Sequence, residues 1–290
     1  MEKNKTDKKE GMLYLCATPI GNLKDITTRV LETLSQVDLI AAEDTRNSIH
    51  LLNHFGIKTP MTSYHEFNKY DKADILIGRM KAGEDIALIT DAGTPAISDP
   101  GEVLVRRCHE EGVNVTSLPG PAACITALTL SGLSTRRFAF EGFLPHDKKE
   151  REQVLEDLKD EYRTVVLYEA PHHLKVTLSV LYEALGNRKL CLCRELTKRF
   201  ETVIPTDLCS AIELYEEEDP KGEYVLVLEG ADKEADIKKK QESFAALSVE
   251  EHVAHYEAEG LDRKAAMKKA AEDRGVPKRE IYDALYRKGR

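Results

Sequence analysis

The sequence predicts an α/β protein with a largely parallel sheet, and three observations carry that expectation. Short apolar runs alternate with helix-period segments from residue 13 onward. Several of the runs end in loops of Gly, Pro and small residues. A hydrophobic content of 41% over 290 residues supplies enough apolar surface for substantial cores.

In chain order, 13–17 reads as a strand, 26–35 as a helix, 39–42 as a strand and 45–55 as a helix. Between 55 and 86 the pattern assigns no element. Residues 86–90 and 113–118 continue the strand series on either side of a helix over 99–111, and Pro121 suits the opening of a helix over 122–130. A first lobe, 12–135, follows an N-terminal stretch (1–11) expected to be flexible. The second lobe, 136–230, has strands expected at 138–143, 164–168, 189–194, 201–204 and 224–229 and helices at 148–158, 171–185 and 206–216, an order more antiparallel in character. Residues 231–247 begin with the polar run ADKEADIKKKQE and read as a linker. Three short amphipathic helices are expected in 248–290, opened by a Ser248/Glu251 capping box, punctuated by Gly260 and Gly275, and closed by a helix starting at Pro277.

The net charge of −9 argues against a chain coated in basic residues. Residues 261–290 nevertheless hold ten Lys/Arg against five Asp/Glu, which leaves −14 for the rest. A basic end on an acidic body fits either a polyanion partner or a solvated helical surface. The six cysteines, at 16, 108, 124, 191, 193 and 209, show neither metal-ligand spacing nor the density of a secreted disulfide scaffold. No metal site is expected. The charged first ten residues carry no apolar core of an export signal, and no later run nears the roughly 20 apolar residues of a membrane span, so a cytoplasmic protein is expected.

Four loops stand at strand carboxyl ends, where open α/β sheets bind ligands: ATPIGN (17–22), AEDTR (42–46), DAGTPAISDPG (91–101) and LPGPAA (118–123). Each is an ordinary turn taken singly; four in register point to a ligand held by backbone groups. Neither G-x-x-x-x-G-K-[ST] nor a G-x-G-x-x-G after the first strand occurs, which disfavours ATPases and ordinary dehydrogenases. Spacing alone does not identify the ligand.

With LYLCATPIGNLKDIT, LIAAEDTR, LLNHFGI, SYHEFN, LITDAGTPAISDPG, LPGPAA, FEGFLP, LYEAPHHL, CRELTKRFE and KGEYVLVLEG, the chain from about 12 to 230 resembles the ribosomal RNA small subunit methyltransferase I family of the tetrapyrrole methylase superfamily. The resemblance implies a bilobal fold, a homodimer, S-adenosyl-L-methionine in the trough between the lobes, and methyl transfer to a cytidine 2′-oxygen of small-subunit ribosomal RNA. SVEEHV and GLDRKAAMKKAAEDRGVPKREIY resemble that family's helical C-terminal domain. Carried over by position, Pro19 fits the first cofactor loop, Ala92, Gly93, Thr94 and Ile97 the glycine-rich cofactor strand end, and Ala122 and Ala123 the second cofactor loop, while Tyr168 and Glu169 approach the cofactor from the other lobe. Ala122 departs from the Ser usual after PGP and offers no side-chain hydrogen bond there.

Such a reaction needs a hydroxyl aligned with an activated methyl and one proton removed. Alignment can supply roughly 7 to 11 kcal/mol, and a general base a factor of about 10² to 10⁴. Candidate bases are Asp44, the favoured one, with Glu43, His65, Glu66 and also Glu195. Asp44 and Glu43 equally suit a helix N-cap, and His65 a hydrogen-bonded structural role. Arg46, Arg194, Lys198 and Arg199 suit RNA phosphates at the rim, as do Lys278, Arg279, Arg287 and Lys288 on a helix-turn-helix-like tail, with surface ion pairs or tail packing as the plainer roles. Tyr64 and Phe67 suit either base stacking or a core. Two other readings stay open: a methyltransferase acting on a small tetrapyrrole, and a DNA-binding metabolite sensor.

Overall fold

The computed structural model describes residues 10–232, 244 and 247–286. Expectations for residues 1–9, for most of the linker, and for Arg287 and Lys288 lie outside the described residues. The chain divides into two compact units, one comprising residues up to 159 and 163–229, the other 160–162 and 230–290.

The first unit contains two five-stranded sheets. In the first, β1 (Met12–Cys16), β2 (Leu39–Ala42), β3 (Met61–Ser63), β4 (Ile86–Ile89) and β5 (Asn114–Leu118) run parallel in the order β3-β2-β4-β1-β5. Alternate residues of these strands face opposite sides. Leu13, Leu15, Leu39, Ala41, Ile86 and Leu88 pack on α3 (Lys69–Lys81) and α4 (Gly101–Glu110). Cys16, Ile40, Ala42, Ala87 and Ile89 pack on α1 (Thr28–Gln36) and α2 (Thr45–His54). Both faces of the sheet are thereby covered, which explains the unbroken apolar runs of its inner strands β2 and β4 and the mostly apolar β1. Because the strands are parallel, every strand delivers its carboxyl end to one edge, and the four loops singled out from sequence, three of them rich in Gly and Pro, gather there.

Two elements occupy the stretch where the pattern assigned none. Helix α3 buries Ala73, Leu76, Ile77 and Met80, spacing that fits one helical face. Its start is unmarked because the Asn68 side chain makes no cap bond and instead accepts from the His65 N–H at 2.9 Å.

The second sheet has the order β6-β7-β10-β8-β9, formed by β6 (Phe138–Phe143), β7 (Thr164–Glu169), β8 (Lys189–Arg194), β9 (Thr202–Asp207) and β10 (Tyr224–Leu228). Only the β6–β7 pair is parallel. Strand β9 runs through Pro205 to Asp207, three residues beyond expectation, because it is an edge strand where a missing N–H is tolerated. Asp207 then caps α8 (Leu208–Glu217) by accepting from Ser210 N–H.

One face of this sheet packs on α6 (Lys148–Lys159), α7 (Leu174–Leu185) and α8. Helix α5 (Ala123–Leu130), grouped with the first lobe by sequence, places Cys124, Ala127 and Leu128 against Val166, Cys191, Cys193, Val225 and Val227 on the other face. Its sequence, ACITALTL, is apolar all round, so period alone could not say which sheet it serves.

The second unit contains α9 (Val249–Ala258), α10 (Arg263–Arg274) and α11 (Lys278–Tyr286) around Val253, Tyr256, Ala266, Met267, Ala270 and Ile281. The Ser248/Glu251 capping box is formed, and Gly275 closes α10 in the left-handed region.

Candidate functional site

The carboxyl edge of the first sheet and β6, β7, β8 and β10 of the second border a cavity of about 550 Å³. That size suits a nucleoside-sized ligand. The loop after β4 contributes most of one wall, from Thr90 to Asp99. It is held by a two-way backbone pairing between Thr18 and Gly93, at 2.9 and 3.1 Å, and by Thr94 Oγ1 donating to Pro121 O at 2.9 Å. The loops after β1, β4 and β5 thus form one connected surface.

Backbone strain concentrates around this cavity. Ala96 and Ser98 have φ of 70° and 60°, and Glu195 and Thr197 of the facing lobe have 51° and 66°. Non-glycine residues hold such angles only when their surroundings over-determine them, a habit of functional loops. Asp99 fixes the first pair, accepting from the N–H groups of Ala96, Ile97 and Gly101 at 3.0, 3.3 and 2.7 Å. Burial nonetheless raises its pKa, outweighing these three donors. The facing loop comes close to Gly21, where a Cβ would stand 2.4 Å from Lys198 Cγ, so the first-lobe loop can pass there only as glycine.

Of the residues singled out from sequence, Glu43, Ala92, Gly93, Thr94, Ile97, Ala122, Ala123, Tyr168, Glu169 and Lys198 line this cavity. Small side chains at 92, 93, 122 and 123 expose backbone to a ligand. Tyr168 packs edge-on against Phe140 and Phe143, and its hydroxyl oxygen accepts from Cys124 N–H at 3.2 Å. Desolvation pushes its pKa up. Lys198 reaches both Glu195 and Glu223 at 2.8 Å, which commits Glu195 to an ion pair. The walls carry Glu43, Asp91, Asp99, Glu169 and Glu223 against Lys198, an acidic balance suited to a cationic ligand.

The favoured base, Asp44, stands apart from this cavity. It caps α2 and is gripped by Arg46, whose Nε and Nη2 reach Oδ1 and Oδ2 at 3.0 and 2.6 Å. That hydrogen bonding pulls its pKa down to about 2. Arg46 is correspondingly occupied, although its side chain is exposed. Glu43, one residue earlier, faces the cavity instead and accepts from the Thr90 hydroxyl at 2.6 Å.

His65 and Glu66 also stand outside the cavity, because β3 is the edge strand farthest from the loops after β1 and β4. His65 turns to Asn68 and Glu66 to Lys69. Tyr64 is core, its hydroxyl donating to Pro100 O, whereas Phe67 is 97% exposed. Pro19 lines a neighbouring cavity of about 340 Å³ with Asn47, His50 and His54. Arg194 and Arg199 flank the strained 195–197 loop without lining the main cavity, Arg199 lying over the Phe200 ring. In the second unit, Lys278 donates to Lys264 O and Arg279 faces Asp283 at 3.8 Å.

Sequence reasoning passed over Asp91, Ser98, Asp99, Phe143 and Glu223, all of which line the cavity. Asp91, Ser98 and Asp99 were within reach, since they sit in the same 91–101 loop as Gly93. Asp91 accepts from the backbone N–H of Asp44 and the Asn47 amide, so it ties the loop after β4 to the start of α2.

Two α/β lobes enclosing a loop-built cavity define the class, a methylase of the tetrapyrrole methylase fold, and residues 12–211 match the family model described as Tetrapyrrole (Corrin/Porphyrin) Methylases. A crystal structure of diphthine synthase matches with a TM-score of 0.61 at 15% identity, covering 76% of this chain and 90% of that one, a likeness of fold alone. Ribosomal RNA small subunit methyltransferase I of Bacillus subtilis is 46% identical over 276 residues, 95% of this chain and 94% of that protein. The protein of the same name from Halalkalibacterium halodurans is 47% identical over 277 residues, 96% of this chain and 95% of that protein. The chain belongs to the ribosomal RNA small subunit methyltransferase I family.

Proposed function

We propose that this chain transfers the methyl group of S-adenosyl-L-methionine to the 2′-hydroxyl of a cytidine in small-subunit ribosomal RNA. Identity of 46% extending over 95% of the chain, helical tail included, carries the reading. The cavity's acidic walls suit a sulfonium cation, and its small residues suit a nucleoside laid against backbone. Ala92, Gly93, Thr94 and Ile97 would hold the cofactor from the first lobe with Ala122 and Ala123, and Tyr168 and Glu169 from the second. Bound there, it supplies an already activated methyl group.

The protein's own work is then alignment and proton removal. Glu43 is the base this geometry favours: one carboxylate oxygen is fixed by Thr90 and the other remains to accept the ribose proton. The basic tail, with Lys278 and Arg279, would add phosphate contacts. The same reading has the chain acting in the cytoplasm as a homodimer. Among the described residues, no helix is long and apolar enough to cross a membrane.

The test is transfer of tritiated methyl from S-adenosyl-L-methionine to small subunits lacking modification, followed by nucleoside mass spectrometry. Formation of 2′-O-methylcytidine is expected. Cofactor binding with no transfer to subunits or naked ribosomal RNA would instead favour a small-molecule acceptor such as a tetrapyrrole.

A further inference from the structure

A side cavity of about 350 Å³ shares Phe143, Glu169 and Ala170 with the main one. Three histidines and an arginine wall it, brought by separate segments: His146 follows β6, Arg151 lies on α6, and His172 and His173 stand between β7 and α7. The His146 and His173 rings are 4.9 Å apart, and those of His172 and His173 4.3 Å. Arg151 Nη1 donates to the carbonyls of Pro145 and His146 at 3.2 and 3.1 Å, leaving the other guanidinium N–H groups for a ligand.

Among the described residues, no carboxylate pairs with Arg151 or with these imidazoles. Glu169 is the acid in the wall, and its oxygens are taken by Ala170 N–H and Thr177 Oγ1. Helix α7 starts directly behind His173, which gives it no side-chain cap, and Val176 and Thr177 of its first turn line the cavity. The helix therefore adds its positive end to the same space. Nor is this a metal centre: among the described residues no group of three or more His, Cys, Asp or Glu could hold an ion.

Donors without acceptors, gathered beside a reaction cavity, call for an anion rich in oxygen. We propose, resting on the ribosomal RNA reading above, that His146, Arg151, His172 and His173 form a phosphate subsite that grips the RNA backbone next to the nucleotide being methylated. Imidazole and guanidinium donors suit phosphodiester oxygens, and the opening into the main cavity lets one strand occupy both.

The test compares wild-type full-length chain with Arg151→Gln and with the double variant His146→Ala/His172→Ala. Binding of a short single-stranded RNA oligonucleotide is measured across salt concentrations, alongside methyl transfer to unmodified small subunits. Both variants are expected to bind the oligonucleotide about tenfold more weakly and to show a raised KM for subunits, with S-adenosyl-L-methionine binding unchanged. Arg151→Gln should also lower the salt slope by about one. Oligonucleotide binding and KM equal to wild type in the histidine double variant, which leaves the Arg151 carbonyl contacts intact, would overturn the subsite. Should wild type methylate no subunits, the functional reading fails separately, and the oligonucleotide comparison still decides the subsite.

Discussion

The Thr90 hydroxyl donates to Glu43 Oε2 at 2.6 Å, joining the carboxyl ends of the adjacent parallel strands β4 and β2. This bond turns one of two consecutive acids into the cavity, while Arg46 holds the next, Asp44, at the start of α2. Glu43→Gln keeps the shape and removes the carboxylate proposed as the base. It is expected to lower single-turnover methyl transfer by about 10² to 10⁴ with cofactor binding kept within a few-fold. Asp44→Ala is expected to act mainly on stability, lowering the thermal midpoint through loss of the cap while most activity survives. The reverse pattern in these two assays would return the role of base to Asp44.

Asp99 offers a pH signature. Its folded-state pKa is raised by burial, so its contribution to stability is complete below its unfolded value of about 4 and is lost as pH rises through the folded value. Asn at this position keeps an acceptor for Ala96 and Gly101 but loses the bond from Ile97. The stability deficit of Asp99→Asn relative to wild type should therefore be largest in acid and shrink as pH rises, becoming constant above the folded pKa. Urea midpoints between pH 3 and 7 measure this; a deficit that grows with pH would show that the three N–H donors outweigh burial.

How much of this was written locally in the sequence differs by feature. The cavity loops were legible because Gly93, Pro121 and their neighbours mark turns by backbone chemistry alone. Which acid faces the cavity was not, because Glu43 is oriented by Thr90, 47 residues away, and Asp44 is diverted by Arg46. Helix α3 has a readable apolar face at 73, 76, 77 and 80, but Gly78 interrupts it and no side-chain cap announces it. The walls from Glu223 to Val225 come from the start of β10 and the residue before it, and the place of β10 in the centre of the second sheet depends on long-range pairing with β7 and β8.

Gly142 links the second lobe to the strained loop of the first. It has φ of 71° at the register shift of β6, and a Cβ there would stand 2.9 Å from Ser98 Oγ. Gly142→Ala must bear the left-handed backbone, about 1 to 2 kcal/mol, and must also displace Ser98. A lower thermal midpoint together with weaker cofactor binding is expected, whereas Ser98→Gly combined with Gly142→Ala should regain part of the binding. Calorimetric titration of S-adenosyl-L-methionine reads both; unchanged binding in the single variant would uncouple the bulge from the loop.

Within the second unit, His252 stacks on Phe244 with ring centroids 3.8 Å apart, and its Nδ1 accepts from Arg274 Nε at 3.0 Å. Its Nε2 lies 3.6 Å from Asp273 Oδ2 without a hydrogen bond, and Asp273 instead accepts from the Tyr256 hydroxyl. Burial, then the charge of Arg274, lowers the imidazole pKa despite the neighbouring Asp273. A histidine lowered in this way contributes stability that is present above its unfolded value of about 6.5 and lost as pH falls through the folded value. Amide exchange over 249–286, corrected for intrinsic rates, should show protection declining as pH falls below about 6.5. His252→Gln, which keeps an acceptor for Arg274 and cannot titrate, should be less protected at neutral pH but flatter across the range. If the variant retained the wild-type slope, the acid sensitivity of the unit would have to be assigned to its carboxylates.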